Sequence, residues 1–259
     1  MLRFISLILV VLSLSGCASM RRDAERRREM AFTHRQLAEA KLSQGEVPFA
    51  IREYRKSLEL NAVDPETHFG LAEAYRRKGK FEEAELHLEE AIDLRPDQME
   101  AQLNLGVIYM LQERWDEAEA LFQELADDPA FIRPSRALVN LGWAQYKSGD
   151  LTAARETLAL AIQAERSNYV AHLDLGIVLY DQGEAVRAIQ HFAEAVRIIQ
   201  GRPGAMFGPT EAEARFRSAQ AYVKLGRHSE AIAQLELAAQ RGGEGEWGRK
   251  SREYLEILK

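Results

Sequence analysis

The chain has 259 residues, with 34 Lys and Arg against 40 Asp and Glu, and a formal net charge of −6. That balance gives no general case for nucleic-acid binding. A single cysteine, Cys17, excludes a disulfide framework and any cysteine-rich metal site.

Arg3 is followed by an apolar run from Phe4 to Leu14, broken only by serines, which ends in Leu14-Ser15-Gly16-Cys17. At about 1.5 Å per residue the run spans roughly half of a bilayer core, too short to cross it and suited to a secretory signal over residues 1–16. Residues 18–30 carry five arginines against three acids and have no apolar face. With Cys17 they read as a basic tether leading into the first helix.

The pattern that organises the rest is clearest over residues 65–98. Asp64 is placed as a helix N-cap, with Pro65 at the first helical position, where a missing N–H does no harm. Arg76, Arg77 and Lys78 face the negative helix end, and Gly79 supplies a left-handed stop. Glu82, Glu83 and Glu85 open a second helix, and Pro96 lies just beyond its end. Leu71, Ala72 and Tyr75 form one face of the first helix; Ala84, Leu88 and Ala91 form one face of the second. Such a hairpin has too little core to stand alone and needs stacked neighbours.

A shift of 34 residues supplies them. Met99 opens Leu105, Gly106, Tyr109, Trp115, Ala118 and Phe122; Ala31 opens Leu37, Ala38, Gly45, Ala50 and Tyr54. Further units start near Ser135, Tyr169 and Ala212. The units are thus near 31–64, 65–98, 99–134, 135–168, 169–211 and 212–245. Two insertions lengthen the spacing. One lies in residues 127–134 and the other in 201–209, where the Gly and Pro content marks loops. Phe131, Ile132, Met206 and Phe207 are apolar enough to tuck back onto the helices. Residues 247–258, with Trp247, Tyr254, Leu255 and Leu258, predict an amphipathic helix that caps the last unit. Glu113 stands where other units place a glycine between their helices.

Chemistry is not apparent. His34, His68 and His172 share the fourth position of their units, and His87 and His191 the twenty-third, which argues for packing or surface roles. No HExxH, GxSxG or Walker motif occurs, and the glycines at 79, 149, 183 and 226 are helix stops. The expectation is a non-enzyme without metal or cofactor.

The six units resemble the tetratricopeptide (TPR) repeat over about residues 31–245. That resemblance implies an all-α TPR superhelical solenoid of six helix-turn-helix repeats with a C-terminal capping helix. It also implies that first helices line the inner face, which places there Phe69, Leu103, Val107, Met110, Leu111, Val139, Trp143, Tyr146, Leu173, Ile177, Tyr180 and Phe216. Such an apolar trough is expected to hold an apolar or amphipathic segment of a protein partner.

Leu-Ser-Gly-Cys resembles the lipobox of bacterial lipoproteins, which implies cleavage before Cys17 and a lipid-modified (palmitate-bearing) N-terminal cysteine. Ala18, rather than Asp, follows it, and by similarity to lipoprotein sorting this implies the periplasmic face of the outer membrane. Lipobox, tether, six units and the segment LADDPAFIRPSRALVNLGWAQYKSGD together resemble the type IV pilus pilotins of the PilF/PilW and Tgl group. The resemblance implies a monomeric outer-membrane lipoprotein that assists secretin localisation and assembly, with a secretin subunit as partner, the membrane reached through its N-terminal lipid, and no nucleic acid. The alternative is a periplasmic adaptor lipoprotein of the NlpI type for peptidoglycan-processing enzymes, or a barrel-assembly accessory resembling BamD.

Overall fold

A computed structural model describes residues 2–202 and 207–258, with side chains described from residue 20 onward. The expected signal segment, Cys17 and Met206 lie outside the residues whose side chains are described. Every regular element among the described residues is helical, as the repeat register predicts. The chain divides into two compact units, Met1–Gln112 and Glu113–Lys259.

The first unit holds α1 (Leu2–Ser43), α2 (Val47–Leu60), α3 (Pro65–Arg77), α4 (Phe81–Leu94) and α5 (Met99–Leu111). Helices α1 and α2 pair, as do α3 and α4, and the first helices α1 and α3 touch. Ala38, Ala50, Tyr54 and Leu71 share one buried cluster, so the alanines permit close backbone approach while the larger residues fill the space beside it. Ser57 Oγ reinforces the first pair by donating to the Ala31 carbonyl at 2.8 Å.

The second unit holds α6 (Trp115–Asp127), α7 (Pro134–Ser148), α8 (Leu151–Ala164), α9 (Tyr169–Asp181), α10 (Ala185–Gln200), α11 (Gly208–Lys224), α12 (His228–Gly242) and α13 (Glu246–Leu258). Helices α7 and α8, α9 and α10, and α11 and α12 form hairpins, while α9 touches both α7 and α11. The first helices therefore run side by side and make a common face. Helix α13 packs on α11 and α12, with Trp247, Tyr254, Leu255 and Leu258 against Phe216 and Leu235.

Two local expectations change. Asp64 occupies the N-cap position of α3, yet its side chain makes no capping bond. Its carboxylate instead accepts from Thr67 Oγ1 at 2.5 Å and pairs with Arg35 Nε at 3.4 Å. Asp150 and Asn168, without such competitors, do cap α8 and α9. Of the loop residues expected to tuck in, Phe131 is buried and Phe207 meets the Tyr169 ring edge-on at 5.8 Å, but Ile132 is 87% exposed. Phe131 takes the cleft, and chain direction then points its neighbour outward.

Glu113 keeps the geometry of the glycine it replaces, with φ 61°. A side chain in this region is strained by contact between Cβ and the backbone. Glu113→Gly is expected to raise stability by about 0.5 to 1 kcal/mol. Urea denaturation checks this; an unchanged or lowered midpoint would mean that the Glu113 side chain earns compensating contacts.

Candidate functional site

In the first unit, Leu103 is buried, whereas Phe69, Val107 and Met110 are half-buried and Leu111 is exposed. Leu103 therefore offers almost no surface to a ligand, and the accessible residues are the other four.

The second unit is more informative. Val139, Leu173 and Ile177 are buried because neighbouring first helices press against each other, and Phe216 is covered by the rings of Trp247 at 5.4 Å and Tyr254 at 6.0 Å. Trp143, Tyr146 and Tyr180 lie half-buried over the cluster that contains Leu173, Ile177 and Ala214. Trp143 and Tyr146 are 5.0 Å apart between ring centroids. Tyr146 Oη donates to Asp181 Oδ2 at 2.8 Å, linking α7 to α9. Burial, followed by that bond to Asp181, pushes the Tyr146 phenol up to about 12. Lys224 of α11 lies 4.7 Å from the Tyr180 ring centroid and donates to its carbonyl at 3.2 Å. The aromatic residues are thus fixed across three consecutive first helices, with one side still open.

Sequence reasoning missed a buried carboxyl on the middle one of these three first helices. Asp174 of α9 is only 8% exposed, and burial, reinforced by the nearby Glu213, pushes its pKa up to about 8. Glu213 of α11 is itself raised, first by burial, with Arg217 partly offsetting it. The signal was the sixth position of α9, beside the inner-face residue Leu173. A sequence shows that position but not the neighbouring helix that removes its water.

The shared histidine positions also acquire a meaning. His68 Nδ1 lies 3.0 Å from His87 Nδ1, and His172 Nδ1 lies 3.1 Å from His191 Nδ1. His68 Nε2 meets the Ala62 carbonyl and His172 Nε2 that of Arg166. A carbonyl only accepts, so each Nε2 carries the proton and each remaining Nδ1 accepts from its partner ring. At the same offset His34 bonds Glu53 and Arg215 bonds Gln234. These are polar clasps between the two helices of a repeat. Among the described residues, no group of three or more His, Cys, Asp or Glu side chains is placed to hold a metal.

Stacked helix pairs with apolar and aromatic residues along their first helices define a repeat scaffold that presents an extended surface of the kind used in protein–protein interaction. Tetratricopeptide repeat models match residues 69–131, 139–203 and 205–246, and a second such model matches residues 29–97. The chain belongs to the tetratricopeptide repeat family. No curated protein matches it in a sequence search. Among solved structures, it is similar to PilF of Pseudomonas aeruginosa, with 19% identity, TM-score 0.68, and coverage of 88% of this chain and 99% of PilF. It is also similar to PilW, a widely conserved type IV pilus biogenesis factor, with 18% identity, TM-score 0.73 and coverage of 85% and 97%. The Cut9–Hcn1 hetero-tetramer also contains a similar chain, with 16% identity, TM-score 0.70 and coverage of 90% and 44%. At these identities the likeness establishes the fold alone. Among the described residues, no helix is long and apolar enough to cross a membrane.

Proposed function

We propose that this chain is a lipid-anchored scaffold of the outer membrane, acylated at Cys17, that receives a secretin subunit and assists its assembly during type IV pilus biogenesis. The observation that carries the docking part is the accessible group Trp143, Tyr146 and Tyr180, held on one face by three first helices. Fixed aromatic side chains lose little entropy on binding and are frequent interface hot spots. The lipobox-like Leu14-Ser15-Gly16-Cys17 supports the anchor. The near end-to-end likeness to PilF and PilW supports the pilus setting. A secretin subunit must cross an aqueous compartment with apolar surface uncovered. An anchored aromatic face can shield such a segment until subunits meet.

Trp143→Ala is expected to weaken partner binding by about 2 kcal/mol or more while leaving helicity nearly unchanged. In cells, deletion of the gene is expected to abolish secretin multimers in blotted outer membranes, and the Trp143→Ala chain to restore them only in part. Unchanged multimers after deletion would remove the secretin assignment. Full rescue by a Trp143→Ala, Tyr146→Ala double variant would remove the docking face.

A further inference from the structure

Buried acids in this protein are usually supplied with partners. Glu53 accepts from His34 at 2.8 Å, Lys56 at 2.9 Å and Arg52 at 3.2 Å. Glu211 accepts from Arg215 at 2.8 and 2.9 Å and from Gln200 at 3.0 Å. Asp174 is as deeply placed yet makes no hydrogen bond or ion pair. Its oxygens are not among the sealed polar atoms without a partner, so what exposure the residue keeps reaches the carboxyl. A carboxyl left this way is costly. Its surroundings add a second acid rather than a cation, since Glu213 acts on it from α11.

The chain's own cations near this face have other partners than Asp174. Arg217 reaches Glu213 at 3.6 Å and lies 5.2 Å from the Trp247 ring centroid. Its Nε is buried without an acceptor, and its charge also acts on the Tyr146 and Tyr180 phenols, so it lies beside this face with Glu213 as its ion-pair partner. Lys224 is taken by Tyr180. Lys250 and Glu246 of α13 act on Glu213 with opposite signs.

We propose that the first-helix face of the second unit recognises a basic side chain, lysine or arginine, carried by an otherwise apolar segment of a protein partner. Asp174 receives the cation with Glu213 beside it, and Trp143, Tyr146 and Tyr180 take the flanking apolar groups. The inference rests on the docking reading above and adds to it the chemistry of the bound segment. Charge complementarity selects this occupant. A purely apolar segment leaves Asp174 unpartnered, and an acidic one adds a third negative group. A cation flanked by aromatic rings gains further from their faces. An arriving ammonium favours the ionised form of Asp174, so the preference for a basic segment strengthens as the solution becomes more alkaline.

The test uses the purified full chain and two labelled, 16-residue amphipathic Leu/Ala peptides, one with a single central lysine and one with norleucine in its place. Binding is followed by fluorescence anisotropy at pH 6 and pH 8.5. The lysine peptide is expected to bind about tenfold more tightly than the norleucine peptide at pH 8.5, with a smaller margin at pH 6. Asp174→Asn, checked for helicity by circular dichroism, is expected to erase the margin without weakening the norleucine peptide, and Glu213→Gln to reduce it. Equal binding of the two peptides, or a margin that survives Asp174→Asn, overturns the inference and leaves the docking reading standing. Failure of both peptides to bind overturns the inference and the docking reading together.

Discussion

Phe192→Ala is expected to cost the second unit about 3 to 5 kcal/mol, more than any other substitution considered for this chain. The Phe192 side chain is fully buried at the centre of the α8–α11 cluster. Its ring lies where the chain leaves room by placing glycine at position 176. A Cβ built on Gly176 would stand 2.5 Å from Phe192 Cε1. The same arrangement recurs one repeat earlier, where a Cβ on Gly142 would meet Leu158 Cγ at 2.6 Å. Gly176→Ala alone is therefore expected to destabilise by about 1 to 2 kcal/mol, overpacking exceeding the gain in helix propensity. In the double variant the new methyl group enters space vacated by the ring, so the two losses should not add. All three tryptophans, Trp115, Trp143 and Trp247, belong to the second unit, so their fluorescence in urea reads its unfolding selectively. Strict additivity of the two substitutions would show that the glycine and the ring are not coupled.

The glycine at the eighth repeat position was visible in the sequence, and so was the helix pairing, because the 34-residue register repeats the same small and large residues at fixed offsets. Repetition makes such features legible, since one unit explains the next. What varies between units was harder to read. Asp64 looks like a cap by its place before a helix, but Thr67 and Arg35 compete for its carboxylate, and only a folded chain reveals the Arg35 contact. Val139, Leu173 and Ile177 follow the inner-face register, yet side-by-side packing of α7, α9 and α11 buries them and leaves the aromatic residues as the accessible part. The nineteen-residue offset between His68 and His87, repeated at His172 and His191, was present in the sequence as two shared register positions. Their direct bonding depends on the angle at which two antiparallel helices meet.

The two units are expected to respond to pH in different ways, and Asp174→Asn to change only one of them. His87 in the first unit and His191 in the second are lowered to about 4, first by burial and then by the facing His68 and His172. The unfolded chain therefore takes up their protons first, so the stability they contribute is present above about pH 6.5 and is lost as pH falls toward 4. Glu53, held down at about 2 chiefly by Lys56, adds a further loss to the first unit below about pH 4.5. The first unit should thus gain stability up to about pH 6.5 and then level off.

Asp174 acts with the opposite sign in the second unit. Its folded pKa of about 8 lies above the unfolded value, so the associated stability is complete below about pH 4 and is lost as pH rises through 8. Between about pH 4 and 6.5 this loss offsets the gain from His191 and His172, both lowered by burial; above 6.5 the histidine contribution is complete and the raised carboxyls, Asp174 and with it Glu213, remain. Tryptophan-detected stability is therefore expected to decline from about pH 6.5 to 8.5. A tenfold change in proton affinity is worth about 1.4 kcal/mol, and with allowance for local relaxation Asp174→Asn should stabilise the second unit by roughly 2 to 4 kcal/mol at pH 8.5. Near pH 4 the variant should differ little from the parent chain. Part of the decline is expected to persist through Glu213, whose pKa is also raised; a decline left unchanged in the asparagine variant would mean that Asp174 ionises as freely as an exposed carboxyl. The buried, partnerless acid would then cost the fold nothing, and the reason to seek a cation for it would disappear.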